Sequence, residues 1–385
     1  MVQGIKKIIR NLFVLTAPRK ALYRQGDHWF KKNIMDPSYS WKDYTTVVNP
    51  YFKKYGFRFS MLESEYYSQC SGIRSDLYIP VTLYDYYILP YLNNEAWRLG
   101  FADKNMCTRI IHVDDALKHI DVMFPKCIIC CINGHYFIGN KTLCSFDDAV
   151  QTVLNYDKDM IIKPSIDSHS GQGVKRINKE ENSKVFITKL IKDYYPNFTV
   201  QEIVRQHEDL ALFNKSSVNT VRITTYQDFQ GKIKVLYASQ RFGISGSVVD
   251  NTFDGAGGGF CGIMEDGTYI RKIHHYKDIG WTMMDNSFPQ KVPYYSKIKD
   301  AVLHLHTYFP QFSLIGWDVS VTPDGHPVII EYNFRPGKGL SQMANGPMFE
   351  KEDLDEIMEH VCKANVSSNR KIVIKYKDKV QYGIK

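Results

Sequence analysis

The chain has 385 residues, of which 44% are hydrophobic and 23% are charged, ordinary globular values that exclude wholesale disorder and a collagen-like fibre. At roughly 100–200 residues per domain, this length predicts two or three packed units. The net charge of +8 is concentrated at one end, since residues 1–60 hold 12 Lys/Arg and 3 Asp/Glu, whereas the rest of the chain holds 37 and 38. The nearly neutral body argues against a nucleic-acid-binding surface.

The first predicted helix is basic and amphipathic. Ile5, Ile8 and Leu12 share one face, and Lys6 lies on the other. Such a helix either lies on an anionic membrane or packs on the body of the protein, and both interpretations remain open. The chain has no run of 18 or more uncharged apolar residues and no clean signal-peptide pattern. We therefore expect a cytoplasmic protein, with residues 1–20 as a candidate peripheral contact at the inner face of the membrane.

The eight cysteines do not have the spacing of a zinc site. Only Cys127, Cys130 and Cys131 cluster, and they lie in the apolar run 126–132, which predicts a buried strand. No second pair of ligands follows at the spacing of a zinc knuckle. We interpret the cysteines as core thiols of a protein from a reducing compartment.

Secondary-structure signals change character near Ala102. Residues 1–95 are rich in Tyr, Phe, Trp and Lys, predict helices in pieces and contain no catalytic motif. After them, short β-rich runs with turn signals alternate with helices, which is typical of a mixed α+β enzyme. The predicted strands are 127–132, 160–163, 199–204, 221–226, 233–239, 317–321 and 328–332, and the predicted helices are 146–156, 184–194 and 297–308.

A strand that ends in Lys163 leads into a loop of small residues, 165–174, which contains Gly171 and Gly173. Small residues allow backbone N–H groups to approach a polyphosphate, and the lysine adds a point charge. A flexible surface turn explains the same residues, and both interpretations stay open. Neither a Walker A loop nor a dinucleotide-binding fingerprint fits the segment.

Two arginines flank the predicted hairpin around Gln230 and Gly231. Arg222 opens one strand, and Arg241 lies just past the end of the other. In an antiparallel hairpin these positions fall at the same open end, where two guanidinium groups could bind phosphate or carboxylate. Surface ion pairs are the alternative.

The most informative segment is the predicted hairpin of residues 317–333. If Asp324 and Gly325 form a two-residue turn, Asp318 lies directly opposite Glu331, and Asn333 shares their face. Two carboxylates and an amide oxygen on one face suit Mg²⁺. A polar, solvent-facing edge hairpin is the alternative interpretation. The same register places Ile329 on the carboxylate side and Ile330 on the apolar face.

The order of a strand lysine, a small-residue loop, a hinge-like strand, an arginine pair and Asp…Glu-x-Asn resembles the ATP-grasp superfamily. More closely, it is similar to the sugar-transfer-associated ATP-grasp proteins, which are encoded among polysaccharide-biosynthesis genes. The resembling segments extend over residues 102–350 and leave residues 1–95 uncovered. They are 102–106, 161–173, 200–204, 217–222, 249–251, 257–259 and 316–337.

The resemblance implies an α+β ATP-grasp fold, in which two α+β lobes clasp ATP, with an N-terminal, mostly helical, aromatic-rich extension. It divides the chain into this extension (1–95), a small lobe with phosphate loop and hinge (96–204), a large lobe with the metal site (205–362) and a basic tail (363–385). The extension is a candidate contact to the acceptor or the membrane.

The resemblance also implies roles for individual residues. Lys104 and Lys163 would contact the nucleotide phosphates, and the hinge 201–204 would hydrogen-bond adenine through its backbone. The implied nucleotide-binding residues are Lys104, Lys163, Ser168, Ser170, Gly171, Gln172, Gly173, Gln201, Glu202, Ile203, Val204, His207 and Asn219. The implied catalytic residues are Arg222, Arg241 and Arg335. The implied acceptor-binding residues are Asp250, Asn251, Gly257, Gly258 and Gly259. Asp318, Glu331 and Asn333 would hold Mg²⁺, usually two ions.

These expectations describe an ATP- and Mg²⁺-dependent carboxylate–amine ligase that works through an acyl-phosphate. The family's setting favours a sugar or glycan carboxylate and an amino-acid or amine cosubstrate, for example a uronic acid amidated by an amino acid. One alternative is an ATP-grasp kinase that phosphorylates a sugar or other small-molecule hydroxyl. A third hypothesis is a non-enzymatic peripheral membrane scaffold that uses the basic amino terminus.

Overall fold

The computed structural model describes residues 49–57, 59, 61–111, 120–166, 171–243, 246, 258–275 and 281–366. The chain divides into two compact units, one formed by the segments before Trp97 and after Pro336 and the other by Trp97–Pro336. The predicted amphipathic helix within residues 1–20 lies outside the described residues. Among the described residues, no helix is long and apolar enough to cross a membrane.

The helices, in chain order, are α1 (Pro50–Lys53), α2 (Leu62–Ser71), α3 (Val81–Leu83), α4 (Leu89–Leu92), α5 (Glu95–Gly100), α6 (Met106–Ile110), α7 (Phe146–Leu154), α8 (Lys184–Tyr194), α9 (Glu208–Ala211), α10 (Tyr295–His306), α11 (Gly339–Asn345) and α12 (Lys351–Val366). A π-helical turn (Tyr84–Ile88) joins α3 to α4, and a 3₁₀ turn (Lys179–Glu181) precedes α8.

The strands are β1 (Cys127–Ile132), β2 (His135–Ile138), β3 (Thr142–Cys144), β4 (Met160–Pro164), β5 (Lys175–Ile177), β6 (Phe198–Glu202), β7 (Thr220–Gln227), β8 (Ile233–Phe242), β9 (Gly259–Ile263), β10 (Lys272–His275), β11 (Trp281–Met283), β12 (Leu314–Val321) and β13 (Pro327–Asn333). All seven predicted strands and all three predicted long helices are present, with no end shifted by more than three residues. The sequence did not predict β2, β3, β5 and β9–β11, which are three to five residues long.

The first unit is helical with an aromatic core. Phe52, Tyr67, Tyr78 and Tyr84 are buried, and the rings of Tyr67 and Tyr78 stack with centroids 5.6 Å apart. Helix α11 packs on α2. Residues 337–362, which the resemblance to the ATP-grasp superfamily places in the large lobe, belong to the same compact unit as the N-terminal extension.

The second unit contains a six-stranded antiparallel sheet of order β3-β2-β1-β6-β4-β5. Its helix α7 begins at a capping box, in which the side chain of Ser145 accepts from the backbone of Asp148. Helices α7 and α8 cover one face of the sheet, where Ile162 and Val200 pack against Val150 and Ile187 in one core cluster. Because side chains alternate along a strand, Lys163, Thr199 and Gln201 lie on the opposite face.

A seven-stranded antiparallel sheet of order β11-β10-β9-β8-β7-β12-β13 completes this unit. Helix α10 packs on one face, where Leu305 and Ile298 meet Ile223, Trp317 and Val319 in the larger core cluster. Alternation then places Arg222 and Asp318 on the other face. One face of the sheet is therefore apolar and packs in the core, and the opposite face carries charged side chains.

All eight cysteines are free thiols. Cys130 and Cys131 are buried in β1, as the apolar run predicted.

Candidate functional site

A row of charged side chains crosses three adjacent strands of the seven-stranded sheet. Arg222 on β7 pairs with Asp318 on β12, and Asp318 pairs with Glu331 on β13. Asn333 pairs with Gly316, two residues away from Asp318 along β12, so it shares the same face. The predicted opposition of Asp318 and Glu331 is therefore present. We call the face that carries Arg222, Asp318 and Glu331 the charged face.

The turn of this hairpin differs from the predicted two-residue turn. Val321 pairs with Pro327, and the backbone N–H of Thr322 donates to the carbonyl of His326 at 2.9 Å, which leaves a three-residue loop, 323–325. A β-bulge between Asp318 and Val319 shifts the register back by one residue. The two deviations cancel before the carboxylates are reached.

The bulge also corrects the predicted position of two isoleucines. Ile329, expected on the carboxylate side, pairs with Val319, is only 2% exposed and belongs to the core cluster of Trp317. Ile330, expected on the apolar face, is the unpaired extra residue of the bulge and is half-buried. The predicted face of Ile329 is wrong because the extra residue of a bulge reverses the alternation between the turn and the bulge.

Arg222 holds Asp318 in a bidentate ion pair, with Nε 2.5 Å from Oδ1 and Nη2 2.6 Å from Oδ2. Arg241, which lies within β8 rather than past its end, places Nη1 3.5 Å from the same Oδ1. Burial opposes ionisation of Asp318, but the charges of Arg222 and Arg241 outweigh it and hold the pKa of this carboxyl below its ordinary value. The two arginines converge, as predicted, and they do so on a buried carboxylate.

Two lysines approach the charged face, Lys163 at the end of β4 and Lys104 in the segment before α6. The backbone N–H of Lys104 donates to the carbonyl of Ser165 at 2.8 Å, which brings the segment before α6 to the end of β4. Lys104 then places Nζ 3.5 Å from Oε1 of Glu331. Burial lowers the pKa of Lys163, an effect that Glu331 opposes and Lys104 reinforces. All three side chains line one cleft, where two ammonium groups are placed to bind a polyphosphate.

Gln201, on the predicted hinge strand β6, brings a buried polar atom to the cleft. Oε1 of Gln201 is buried and has no hydrogen-bond partner among the described residues, and Gln201 lines the same cleft as Cys127 and Phe124. A buried acceptor of this kind calls for a donor. The exocyclic amino group of adenine is such a donor.

Other groups of the predicted hinge already form hydrogen bonds within the protein. The backbone N–H of Glu202 donates to the carbonyl of Lys126 at 2.9 Å, and that of Ile203 lies 3.5 Å from the carbonyl of Asp159. The carboxylate of Glu202 accepts from Lys158 at 2.7 Å. Backbone contacts of this segment to adenine stay a prediction, and these two N–H groups do not supply them.

The three oxygen donors predicted for Mg²⁺ fit that ion. Glu331 exposes 39% of its side chain, and Oδ1 of Asn333, which accepts the backbone N–H of Arg335 at 2.7 Å, retains a second lone pair. Each oxygen of Asp318 also has acceptor capacity beyond its bond to Arg222. Among the described residues, no three His, Cys, Asp or Glu side chains form a metal cluster. Sparse protein ligation is typical of Mg²⁺, which keeps water and substrate phosphates as its other ligands.

The predicted phosphate loop requires its glycines. Gly171 and Gly173 have φ angles of +69° and +74°, and a Cβ on Gly173 would lie 2.9 Å from Cγ of Pro164. Gln172 between them is exposed. Ser168 and Ser170 lie outside the described residues, so their contacts stay a prediction.

Two further predicted nucleotide residues make structural contacts. His207 precedes α9, and its Nδ1 accepts the backbone N–H of Asp209 at 3.2 Å. Asn219 is fully buried, and its amide donates to the carbonyls of Leu210 and Asn214. These bonds fix the segment between the two sheets, and the nucleotide roles of His207 and Asn219 stay predictions.

The predicted acceptor loop is described only at its end. Gly258 and Gly259 are buried, and a Cβ on Gly259 would lie 2.6 Å from Cζ of Phe242, so close packing accounts for this glycine. Asp250, Asn251 and Gly257 lie outside the described residues. The side chain of Arg335 is exposed, and its catalytic role stays a prediction.

Sequence reasoning missed several side chains that line the cleft. Asn140, in the turn between β2 and β3, donates to the hydroxyl of Thr108, and both face the cleft with Asn105. Asn140 follows a glycine, and this turn signal was the single available clue, because neither residue belongs to a periodic pattern.

Residues 83–359 match the family model described as sugar-transfer associated ATP-grasp. The chain belongs to the sugar-transfer-associated ATP-grasp family. The predicted ATP-grasp fold and α+β class are thereby confirmed, and membership supports ATP binding and ATP-dependent ligation in general. No curated protein matches the chain.

Several solved structures are similar to this family member. The VanG D-Ala:D-Ser ligase from Enterococcus faecalis is 13% identical, with a TM-score of 0.42, and the match covers 68% of this chain and 61% of that one. The ATP-grasp ligase PsnB, in complex with a phosphomimetic variant of its minimal precursor, Mg and ADP, is 14% identical, with a TM-score of 0.40 and coverage of 70% and 61%. The D-alanine-D-alanine ligase from Coxiella burnetii is 11% identical, with a TM-score of 0.39 and coverage of 72% and 61%. The chain thus spans less than two thirds of these proteins.

Proposed function

We propose that the protein is an ATP- and Mg²⁺-dependent carboxylate–amine ligase that modifies a sugar or glycan precursor, for example by joining a uronic acid to an amino acid. The observation that carries the proposal is the convergence of Lys104 and Lys163 with Glu331 in one cleft, next to the buried pair of Arg222 and Asp318. This arrangement offers cations for phosphates and oxygen donors for a metal at one place. Transfer of a phosphoryl group needs chiefly such positioning and charge neutralisation.

In the first step an oxygen of the substrate carboxylate attacks the γ-phosphorus, ADP leaves and an acyl-phosphate forms. Lys104 and Lys163 hold the phosphates in this step, and Gln201 accepts a hydrogen bond from the base. Glu331, Asp318 and Asn333 would hold Mg²⁺, which supplies charge neutralisation between the phosphates. No side chain forms a covalent bond in this step.

In the second step the amine attacks the acyl carbon, the bond from that carbon to the phosphate oxygen breaks, and the departing phosphate takes up the proton that the nitrogen loses. Arg241 is the better placed of the two arginines to meet the departing phosphate. Nε and Nη2 of Arg222 already donate to Asp318, so the main role of Arg222 is to position that carboxylate. Closure over the cleft would protect the acyl-phosphate from water.

The test is an assay of the full-length protein with ATP and MgCl₂ across pairs of uronic acids and amino acids. We expect release of ADP and phosphate with one pair, together with an amide product by mass spectrometry. If the carboxylate carries ¹⁸O, one label should appear in the released phosphate, because its oxygen bridges to phosphorus in the acyl-phosphate. A phosphorylated acceptor without free phosphate would instead establish the kinase alternative and overturn the ligase proposal.

A further inference from the structure

The charged face of the seven-stranded sheet continues away from Asp318 toward the edge strand β11. Arg241 on β8 pairs with Phe260 on β9, Phe260 pairs with His274 on β10, and His274 pairs with Trp281 on β11. Directly paired residues of antiparallel strands point to the same side of a sheet. Arg241 contacts Asp318, so the whole row belongs to the charged face. We call these four residues the outer row.

His274 is the unusual member of the outer row. It is 1% exposed, and neither Nδ1 nor Nε2 has a hydrogen-bond partner among the described residues. Its ring stacks on Phe260 with centroids 5.2 Å apart and an interplanar angle of 20°, which fixes its orientation. A buried polar side chain without a partner is costly, and native proteins rarely keep one without a reason.

The chemistry of His274 indicates what kind of partner it requires. Burial, with smaller effects from Lys272 and His275, lowers its pKa to about 4, so the ring is neutral at neutral pH. A neutral imidazole has one N–H donor and one acceptor nitrogen. A hydroxyl group, which also donates and accepts, is complementary to either nitrogen.

The outer end of the row is aromatic, exposed and cationic. Trp281 is 39% exposed, and Nζ of Lys272 lies 4.8 Å from the centroid of its ring. Lys272 pairs with Met283, which is 64% exposed on the same edge. An exposed indole can stack on the C–H face of a sugar ring, and an ammonium group beside it favours a negative substituent.

We propose that the outer row binds the acceptor of the ligase and that this acceptor is an anionic sugar. In this arrangement Trp281 stacks on a sugar ring, Lys272 pairs with its negative group, and His274 hydrogen-bonds a hydroxyl. Arg241 then meets the carboxylate that is to be activated beside Asp318. The inference rests on the ligase function proposed above and names the substrate class of that site.

The length of the row sets the size of the acceptor. Arg241 and Trp281 are three strand spacings apart, which is about 14 Å at about 4.8 Å each. One amino-acid residue spans at most about 3.5 Å, so a free amino acid cannot touch both ends. An acidic oligosaccharide, with a negative group at each end, can reach both Arg241 and Lys272, which lies beside Trp281.

The test measures sugar binding to the full-length protein without ATP, by titration calorimetry, with three probes: glucuronate, an acidic disaccharide of two uronic acids, and the neutral disaccharide cellobiose. We expect the acidic disaccharide to bind most tightly. Trp281→Ala and His274→Phe should each weaken it at least tenfold, and Lys272→Gln should reduce the preference for the acidic over the neutral disaccharide, with Arg241 still present to bind one carboxylate. Trp97→Ala, which removes a tryptophan 55% exposed on α5, is the matched control and should bind as the wild type does.

Two outcomes overturn the proposal: the acidic disaccharide does not bind the wild-type protein, or it binds Trp281→Ala as tightly as wild type. Since Trp281 is at the surface, this variant should fold even if His274→Phe does not. The phosphate-release assay distinguishes a failure of the outer-row site from a failure of the ligase function. If the protein turns over ATP but Trp281→Ala binds the sugar as the wild type does, the outer-row site is wrong and the ligase function stands. If Trp281→Ala loses sugar binding but the protein does not turn over ATP, the outer-row site stands and the ligase function is wrong.

Discussion

Glu331 lies directly opposite Asp318 only because a β-bulge compensates for the turn that joins their strands. Next to the three-residue loop, each residue of β12 pairs with a residue of β13 one position earlier than a two-residue turn would give. The bulge between Asp318 and Val319 restores that register, so that Glu331 and Asn333 share the side of Asp318. A one-residue slip would turn Glu331 into the core, which makes the bulge a requirement of the charged face.

Glu331→Gln should weaken metal binding while keeping the shape of the cleft. The amide retains one acceptor oxygen but no charge to balance Mg²⁺ or to face Lys104. We expect the rate of phosphate release to fall at least 100-fold and the MgCl₂ concentration for half-maximal rate to rise at least tenfold. Titration of the rate with MgCl₂ measures both.

The control for this charge removal is Glu265→Gln. Glu265 has a side chain 96% exposed and pairs only loosely with Lys299, at 3.8 Å. Its rate and its dependence on MgCl₂ should equal those of the wild type. A Glu331→Gln enzyme with an unchanged response to MgCl₂ would contradict the assignment of Glu331 as a metal ligand.

Arg222→Met should destabilise the fold more than its own packing explains. It leaves the buried carboxylate of Asp318 without its bidentate partner, and breaking a buried pair on one side costs about 3–5 kcal/mol. The double variant Arg222→Met/Asp318→Leu should recover most of this loss, because no buried charge remains. Urea unfolding at neutral pH measures the free energy of unfolding in each variant. If the double variant is no more stable than Arg222→Met, the buried charge is not the cause.

The same ion pair predicts a dependence of stability on acid. Because the pKa of Asp318 is lowered in the folded protein, the pair stabilises the fold above the ordinary pKa of aspartate, about 3.9, and the stabilisation is lost as the pH falls below that value. Asp318→Leu should lack this part of the acid dependence. Urea midpoints of wild type and Asp318→Leu between pH 7 and pH 3 should therefore converge as the pH falls.

Local pattern was enough to predict much of the charged face. Asp318 and Glu331 are only 13 residues apart, so a period-2 pattern and a turn signal fixed their relation, even though the turn type was wrong and the bulge was missed. Arg222 and Arg241 belong to one hairpin and followed from the same reasoning. The faces of Ile329 and Ile330 depended on the bulge itself, for which the sequence has no signal.

Other parts of the site depend on contacts between distant segments. Lys104 meets Glu331 although the two residues are far apart in the chain, and a contact of this kind cannot be predicted from the spacing of residues along the sequence. Lys104 was predicted from the resemblance to a family alone, whereas the Mg²⁺ donors on the 317–333 hairpin were predicted from the residues themselves. His274 and Trp281 lie on strands of four and three residues, respectively, too short for a periodic pattern, so their register with Arg241 could not be predicted.

Gln201→Leu should weaken ATP binding without weakening the fold. The substitution removes a buried oxygen that has no partner among the described residues, so the free energy of unfolding should stay equal or rise. If Oε1 accepts from the amino group of adenine, the Kd for ATP should rise about tenfold, in line with one hydrogen bond of about 1.4 kcal/mol. Calorimetry with ATP and with ITP, which lacks the amino group, tests this. The wild type should prefer ATP, and Gln201→Leu should bind both alike; a preserved preference would mean that another group reads the base.

Lys163 predicts that nucleotide binding weakens at alkaline pH. Burial lowers the pKa of its ammonium, so this charge is lost at a lower pH than that of an ordinary lysine, near 10.4. The phosphates of ATP bind the ammonium form of Lys163 and not its neutral amine, so ATP binding should raise the pKa of Lys163. At a pH at which the free protein has begun to lose this proton, binding of ATP should therefore be accompanied by proton uptake. Calorimetry near pH 9 in two buffers of different ionisation enthalpy should show net proton uptake on binding. Lys163→Met should bind ATP more weakly at neutral pH and show no such uptake, whereas an uptake retained in this variant would assign the proton to another group.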